Sequence, residues 1–185
     1  MGHHTFDASQ ADRLEDPARR YCIVSTEELR WALDASEDAA VADLGSGTGF
    51  YTDDVAPHVG TVHAVDIQES MHDYYRGKGI PENVELVTSG IESLPLATDS
   101  LDSAFSIMTY HEFASADALG EINRVLKPNG RLVIFDWAAT GTGDRGPPLE
   151  ERYTAQAAVD RLGESGFAIE HSAVRPETFL VVATV

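Results

Sequence analysis

Short apolar runs alternate with longer segments of helical spacing along this chain. The apolar runs predict strands at residues 41–44, 61–66, 84–87, 101–108 and 131–136. Apolar positions three and four residues apart predict helices at residues 25–34, 50–57, 70–78, 115–126 and 154–165. Strands that alternate with helices in this way predict a parallel α/β sheet with helices on both faces.

The last part of the chain departs from that alternation. Two apolar runs, 167–173 and 178–184, leave no room between them for a helix, so they predict an antiparallel hairpin. Residues 138–149 contain three glycines and two prolines and predict a loop. The whole pattern predicts one doubly wound, seven-stranded mixed sheet whose last strand is antiparallel.

The amino-acid composition and net charge exclude several classes of function for this chain. The 185 residues include 13 Lys and Arg but 31 Asp and Glu, a formal net charge of -18. This excess repels polyanions, so we expect neither a nucleic-acid partner nor docking on an anionic membrane. Only Lys78 and Lys127 are lysines, and many scattered carboxylates with few lysines favour adaptation to concentrated salt over an ordinary acidic protein.

Other classes are disfavoured by what the sequence does not contain. Cys22 is the single cysteine, which excludes an intrachain disulfide and a mechanism with several thiols. No signal-peptide pattern and no run of 18 apolar residues is present, so a cytoplasmic location is expected. His111-Glu112 lacks a second histidine at metal-binding spacing, and no metal is expected.

A glycine-rich turn follows the first predicted strand, in the sequence Asp43-Leu-Gly45-Ser-Gly47-Thr-Gly49-Phe50. A dinucleotide fingerprint would need glycine at position 50, and a phosphate-binding P-loop would need Gly-Lys-Ser/Thr. Phe50 therefore opposes an NAD-dependent oxidoreductase. Asp66 ends the second strand, where an acid can accept hydrogen bonds from both hydroxyls of a ribose.

These residues resemble the class I S-adenosylmethionine (SAM)-dependent methyltransferases, which have a Rossmann-like fold. The first motif is similar to residues 41–49, and the ribose-binding motif is similar to residues 65–67. Residues 93–103 and 121–130 resemble the segments before the fourth and fifth strands of that fold. The likeness covers about residues 38–185 and is strongest to small prokaryotic members of the ubiquinone/menaquinone-biosynthesis type.

The resemblance implies SAM as cofactor and assigns binding roles to Asp43, Gly45, Ser46, Gly47, Gly49, Asp66, Ile67, Met71, Ile91, Glu92 and Met108. Asp43 would orient the amino group, Asp66 would hold the ribose, and Ile67 and Met71 would face the adenine. Many relatives carry an aspartate for the adenine amine at position 90, where this chain has glycine.

Catalytic candidates follow the fourth and fifth strands, whose carboxyl ends border the ligand crevice of such a sheet. They are His111, Tyr110 and Asp136. His111 is a candidate base or acceptor contact because histidine titrates near neutral pH. Alternatively, it only caps the following helix or contacts the cofactor carboxylate. Asp136 either binds the methyl acceptor or only stabilises the end of a strand, where its carboxylate accepts hydrogen bonds from nearby backbone amides. Phe6 could close over the pocket, and Arg145 suits an anionic acceptor.

The sequence thus predicts an N-terminal helical or lid segment, residues 1–37, and a SAM-dependent methyltransferase domain, residues 38–185. The predicted function is in-line methyl transfer to a small-molecule acceptor. A non-catalytic SAM-binding sensor or partner protein is the alternative. Monomer and homodimer both remain open.

Overall fold

The computed structural model describes residues 6–185, so residues 1–5 of the predicted N-terminal segment lie outside the described residues. One seven-stranded sheet has the order β3-β2-β1-β4-β5-β7-β6. Its strands are β1 (Ala40–Leu44), β2 (Thr61–Asp66), β3 (Val84–Thr88), β4 (Leu101–Ile107), β5 (Leu126–Trp137), β6 (Ala168–Val174) and β7 (Thr178–Thr184).

Strand direction agrees with the sequence pattern. Strands β1 to β5 pair in parallel, and β7 pairs antiparallel with both β5 and β6. The predicted mixed, doubly wound sheet with an antiparallel last strand is confirmed. Strand order reverses between β1 and β4, and in such sheets ligands bind outside the carboxyl ends of the strands at that point.

Two hydrophobic clusters lie on opposite faces of the sheet. The helices are α1 (Pro17–Tyr21), α2 (Thr26–Leu33), α3 (Phe50–Val55), α4 (Glu69–Lys78), α5 (Tyr110–Phe113), α6 (Ala116–Val125) and α7 (Ala155–Glu164). One face buries Leu29 of α2, Val55 of α3 and Tyr75 of α4. The other buries Leu119 of α6 and Leu162 of α7. Within the described part of the chain, no helix combines the length and apolarity needed to span a bilayer.

The helical pattern gave no helix before residue 25, but two short helical segments are present there. A 3₁₀ helix spans Ala8–Glu15, and α1 follows it directly. Each begins at an aspartate side chain that accepts from a backbone amide, Asp7 from Ser9 and Asp16 from Ala18. Both segments are too short for apolar periodicity to reveal them.

Strand β5 also begins earlier than predicted, at Leu126 instead of residue 131. The segment 127–130, which lies between the predicted helix and the predicted strand, continues the strand after an irregularity in the pairing of β4 with β5. Asn129 has a φ of 65°, in the left-handed region that asparagine tolerates.

Candidate active site

A cavity of about 650 Å³ lies at the carboxyl ends of the central strands. Its floor is made by the turns after β1, β2 and β4. One wall is the N-terminal segment between Phe6 and Ile23, and another is the loop that follows β5. The cavity thus occupies the crevice where the strand order reverses, as expected for a ligand site in an open α/β sheet.

The glycine-rich turn gives the cavity a floor of backbone. Gly45 and Gly47 both have positive φ, 83° and 54°. A Cβ on Gly45 would lie 2.6 Å from the Cβ of Thr109, so no larger residue fits there. Gly45, Ser46 and Gly47 line the cavity, which allows a ligand to approach the main chain closely.

Asp66 is fixed beside this turn. Its Oδ2 accepts from the Gly47 backbone N–H at 2.8 Å, and its Oδ1 accepts from the Gln68 backbone N–H at 2.8 Å. The residue is only 8% exposed, yet it lines the cavity. A carboxylate oxygen has two lone pairs, so each oxygen can still accept from a ligand hydroxyl.

An apolar slot opens next to Asp66. Ile67 and Met71 line one side, and Ile91 with Glu92 lines the other. A Cβ on Gly90 would lie 2.7 Å from Oε2 of Glu92. The Glu92 carboxylate therefore lies where a side chain at position 90 would begin, and it brings a negative charge to the slot despite the missing aspartate.

Asp43 lies beneath the turn and does not line the cavity. It is 3% exposed, and its Oδ2 accepts from Thr52 Oγ1 at 2.6 Å. Burial raises its pKa to about 7, against the opposing effects of the Thr52 hydrogen bond and the Arg20 charge. Asp43 was predicted to orient the cofactor amino group directly or through water, and its position beneath the cavity floor leaves that role a prediction.

Gly49 is also separated from the cavity. Its φ is 80°, it precedes α3, and the ring of Tyr75 occupies the space that a Cβ would need. Gly49 therefore permits helix packing and does not line the cavity. Its predicted cofactor contact is indirect at most, since it fixes the turn that presents Ser46, whose carbonyl accepts from the Gly49 N–H.

Several polar atoms around the cavity, on its floor and its N-terminal wall, have no hydrogen-bond partner within residues 6–185. They are Ser46 Oγ, Thr48 Oγ1 and Arg20 Nε, all of residues that line the cavity. Buried polar groups are normally paired, so these atoms fit a polar ligand. With the bare glycine backbone and the Asp66 carboxylate, they match the ribose and amino-acid parts of SAM.

Met108 and His111 border the cavity after β4. Met108 has a φ of 62°, and its N–H donates to the Phe135 carbonyl at 2.8 Å. His111 belongs to α5, and its Nδ1 lies 2.9 Å from Asp136 Oδ1 at the end of β5. Because parallel neighbouring strands end at the same edge, the two predicted candidates meet there.

Hydrogen bonds from His111 to the buried Asp136 carboxylate fix the position of His111. Asp136 is fully buried and does not line the cavity; it accepts from the backbone N–H groups of His111 at 2.6 Å and Trp137 at 2.7 Å. Burial lowers the pKa of His111, but the hydrogen bond and charge of Asp136 outweigh it and bring the pKa above its ordinary value. Of the two interpretations left open for Asp136, the geometry matches acceptance from nearby amides.

Tyr110 does not belong to the site. It is fully buried and packs against Phe113, Tyr153 and Phe179, with ring centroids 5.6 to 6.3 Å apart. Burial raises the pKa of its hydroxyl. The predicted catalytic role has no support, because the first residue of α5 faces the core while the next one, His111, lines the cavity.

The N-terminal wall contains residues that the sequence did not single out. Arg20 lines the cavity, and its guanidinium carbon lies 4.6 Å from the ring centroid of Tyr51. The hydroxyl of Tyr51 donates to the Arg20 carbonyl at 2.9 Å, which fixes α1 above the glycine turn. Phe6, predicted to close over the pocket, does line it, and its carbonyl accepts from Gln68.

The loop after β5 forms the opposite wall. Trp137, Arg145 and Pro147 line the cavity there. Arg152 holds this loop: its Nε donates to the Pro147 carbonyl at 2.9 Å, and its guanidinium lies over the Trp137 ring. The two walls meet where Arg145 Nη1 approaches Cys22 Sγ at 3.6 Å.

Comparison with known proteins gives a consistent family. Residues 42–134 match the family model Methyltransf_11, described as Methyltransferase domain. A crystal structure of a SAM-dependent methyltransferase from Aquifex aeolicus is 32% identical, with a TM-score of 0.89 over 98% of this chain and 100% of that one.

Two curated relatives are similar over shorter spans. An uncharacterized methyltransferase-like protein of Schizosaccharomyces pombe is 35% identical over 129 residues, which are 69% of this chain and 49% of the relative. The biotin biosynthesis bifunctional protein BioHC of Cellvibrio japonicus is 40% identical over 93 residues, 50% of this chain and 18% of that protein. This chain thus spans about half the length, or less, of these relatives.

The family model covers half of the chain, and the Aquifex structure matches it nearly end to end. The matched region includes the glycine turn, Asp66 and His111. The chain therefore belongs to the Methyltransf_11 family of methyltransferase domains, among the class I SAM-dependent methyltransferases, whose cofactor is SAM.

Proposed function

We propose that this protein transfers a methyl group from SAM to a small-molecule acceptor and that His111 is its general base. The observation that carries the proposal is the placement of His111. It lines the same cavity as Gly45 and Asp66, and the buried Asp136 holds its Nδ1. A cofactor site and a candidate base thus share one enclosed space.

The cofactor would lie along the floor. Asp66 would accept from the ribose hydroxyls, and the backbone of residues 45–47 would lie under the ribose and methionine parts. Ile67, Met71 and Ile91 would enclose the adenine. Arg20, with an unpartnered buried Nε, would take the carboxylate of the cofactor, because a guanidinium pairs with a carboxylate by charge-assisted hydrogen bonds.

Bound SAM supplies a methyl carbon on a sulfonium, which an acceptor lone pair attacks as the carbon–sulfur bond breaks and its electron pair goes to sulfur. The protein holds the acceptor in line with that bond. Because His111 Nδ1 faces Asp136, Nδ1 carries the hydrogen and Nε2 retains a lone pair. Nε2 would receive the proton that an acceptor hydroxyl, thiol or amine loses.

A small acceptor agrees with the size and cover of the site. The cavity of about 650 Å³ must hold the cofactor as well as the acceptor. Residues 6–23 cover it as the proposed lid of the N-terminal segment, and residues 38–185 form the proposed catalytic domain. An acidic surface, with net charge -18, disfavours a nucleic-acid acceptor.

Calorimetry with SAM and a methyl-release assay over an acceptor panel test this function. We expect His111→Ala to reduce turnover far more than SAM affinity, while His171→Ala, at the edge strand β6, leaves both unchanged. An equal loss of both in His111→Ala would make His111 a cofactor contact. SAM binding without release on any acceptor would favour the non-catalytic binding protein, and no SAM binding would refute both.

A further inference from the structure

The arginines that line the cavity form no ion pairs within residues 6–185, whereas six of the nine basic residues outside it do, the exceptions being Arg30, Arg152 and Arg161. Outside the cavity, six basic residues form ion pairs with carboxylates: Arg76, Lys78, Arg124, Lys127, Arg131 and Arg175. Four arginines line the cavity, and within residues 6–185 none of them forms an ion pair: Arg13, Arg19, Arg20 and Arg145. A chain with 31 acidic residues thus leaves its cavity cations without carboxylate partners.

Two of these arginines lie on the two facing walls of the cavity, Arg19 on the N-terminal wall and Arg145 on the loop after β5. Arg145 Nη1 lies 3.6 Å from Cys22 Sγ, and Cys22 Sγ lies 3.2 Å from the Arg19 carbonyl. The Arg145 guanidinium therefore reaches across to the end of α1, the helix that carries Arg19, and both arginines line the cavity. Arg20, by contrast, lies above the glycine turn.

The acidic neighbours of this pair are engaged elsewhere. Asp144 lines the same wall, but its Oδ2 accepts from Thr142 Oγ1 at 3.0 Å. Glu112 has its Oε1 3.9 Å from His111 Nε2. Asp144 forms no ion pair with Arg19 or Arg145 in the part of the chain that the structure describes. Their guanidinium donors are available to a bound molecule.

We infer that the methyl acceptor is an anion whose carboxylate or phosphate is bound by Arg19 and Arg145, an inference that rests on the proposed methyl transfer. Both oxyanions accept parallel hydrogen bonds from the planar guanidinium group. An acceptor fixed by its anionic end between these arginines would place its remainder against Trp137 and towards His111. The bound anionic group would orient the acceptor molecule, and the nucleophilic atom that carries the proton would react at the opposite end of that molecule.

The test uses calorimetry on the full chain saturated with S-adenosylhomocysteine, the demethylated product, at one fixed ionic strength. Benzoate, phenyl phosphate and benzamide are the probes, because they share a ring and differ in charge. We expect one or both anions to bind at least about tenfold more tightly than benzamide, the ratio typical of a hydrogen bond to a charged group. The stronger of the two anions distinguishes a carboxylate site from a phosphate site.

Substitutions of single arginines test which side chains bind the anion. Arg19→Gln and Arg145→Gln should each weaken anion binding by at least about tenfold and leave benzamide unaffected. Arg30→Gln, an exposed arginine on α2 that does not line the cavity, is the control with the same charge change and should have no effect. Equal affinity for benzoate, phenyl phosphate and benzamide, or an equal loss in Arg30→Gln, would overturn the inference.

The two proposals fail in different ways. If S-adenosylhomocysteine does not bind the wild-type protein, the proposed function is wrong and the anion site loses its basis. If it binds normally to the wild-type and to both arginine variants but no anion is preferred, only the anionic acceptor is refuted.

Discussion

Replacing Asp136 by asparagine isolates what this buried carboxylate does for His111. Asp136 accepts from His111 N–H at 2.6 Å, from His111 Nδ1 at 2.9 Å and from Trp137 N–H at 2.7 Å. Asparagine has nearly the same shape, but only one of its terminal atoms accepts hydrogen bonds. Both oxygens of the Asp136 carboxylate accept hydrogen bonds from N–H groups. In Asp136→Asn, the side-chain NH2 group would therefore point at an N–H group and could not accept from it.

The structure sets the size of the effect on stability. At least one buried N–H would lose its partner in Asp136→Asn, which costs about 1–3 kcal/mol. The charge that raises the pKa of His111 would also disappear. We therefore expect the free energy of unfolding to fall by an amount of that order, with the pKa of His111 falling below its wild-type value.

The stability loss should depend on pH. The pKa of His111 in the folded protein is raised above its ordinary value of 6.5, so protonated His111 stabilises the wild-type protein. That contribution is complete below pH 6.5 and disappears as the pH rises through the folded-state pKa. The difference between wild-type and Asp136→Asn should accordingly be largest in mild acid and become smaller in alkali.

Two measurements check this reasoning. NMR titration of the His111 ring gives its pKa in each protein, and urea unfolding at several pH values gives the stability. Asp99→Asn, an exposed substitution at a positive φ that asparagine accepts, is the control and should leave both unchanged. A wild-type His111 that titrates below 6.5, or identically in both proteins, would refute the role of Asp136.

Three other predictions concern the cofactor site and the surface. Asp66→Ala removes the partner of the Gly47 N–H and should weaken SAM binding by more than about tenfold in calorimetry; unchanged affinity would remove Asp66 from the ribose role. Glu92→Ala should weaken SAM binding and Gly90→Asp should restore it in that background, while no loss in Glu92→Ala would exclude a contact with the adenine amine. If the net charge of -18 reflects salt adaptation, the melting temperature should rise with added KCl, and indifference to KCl would contradict it.

The sequence was sufficient to predict the part of the site whose residues lie close together in the chain. The glycine turn and Asp66 could be predicted because a strand, its turn and the next strand end are close in the chain. The proximity of His111 and Asp136 could be predicted for a related reason. Both residues follow neighbouring parallel strands, whose ends meet at one edge.

The sequence could not predict which side of a short helix faces a ligand. Tyr110 and His111 are adjacent, yet one is fully buried and the other lines the cavity. Arg20 was missed because its position depends on packing against Tyr51, 31 residues away. Polar segments such as 8–21 carry no apolar period, so the sequence predicted a helical or lid segment over residues 1–37 without the bounds of its short helices.

The cavity also has a consequence for the folded protein as a whole. Its N-terminal wall is held to α4 by polar side-chain contacts, Tyr74 with Asp12 and Lys78 with Glu15, while an open space of about 650 Å³ lies beneath. A ligand in that space completes the packing between wall and sheet. At one hundred times its dissociation constant, such a ligand adds about 2.7 kcal/mol of stability. The supply of cofactor would then govern how much of this protein survives proteolysis, as well as how fast it works.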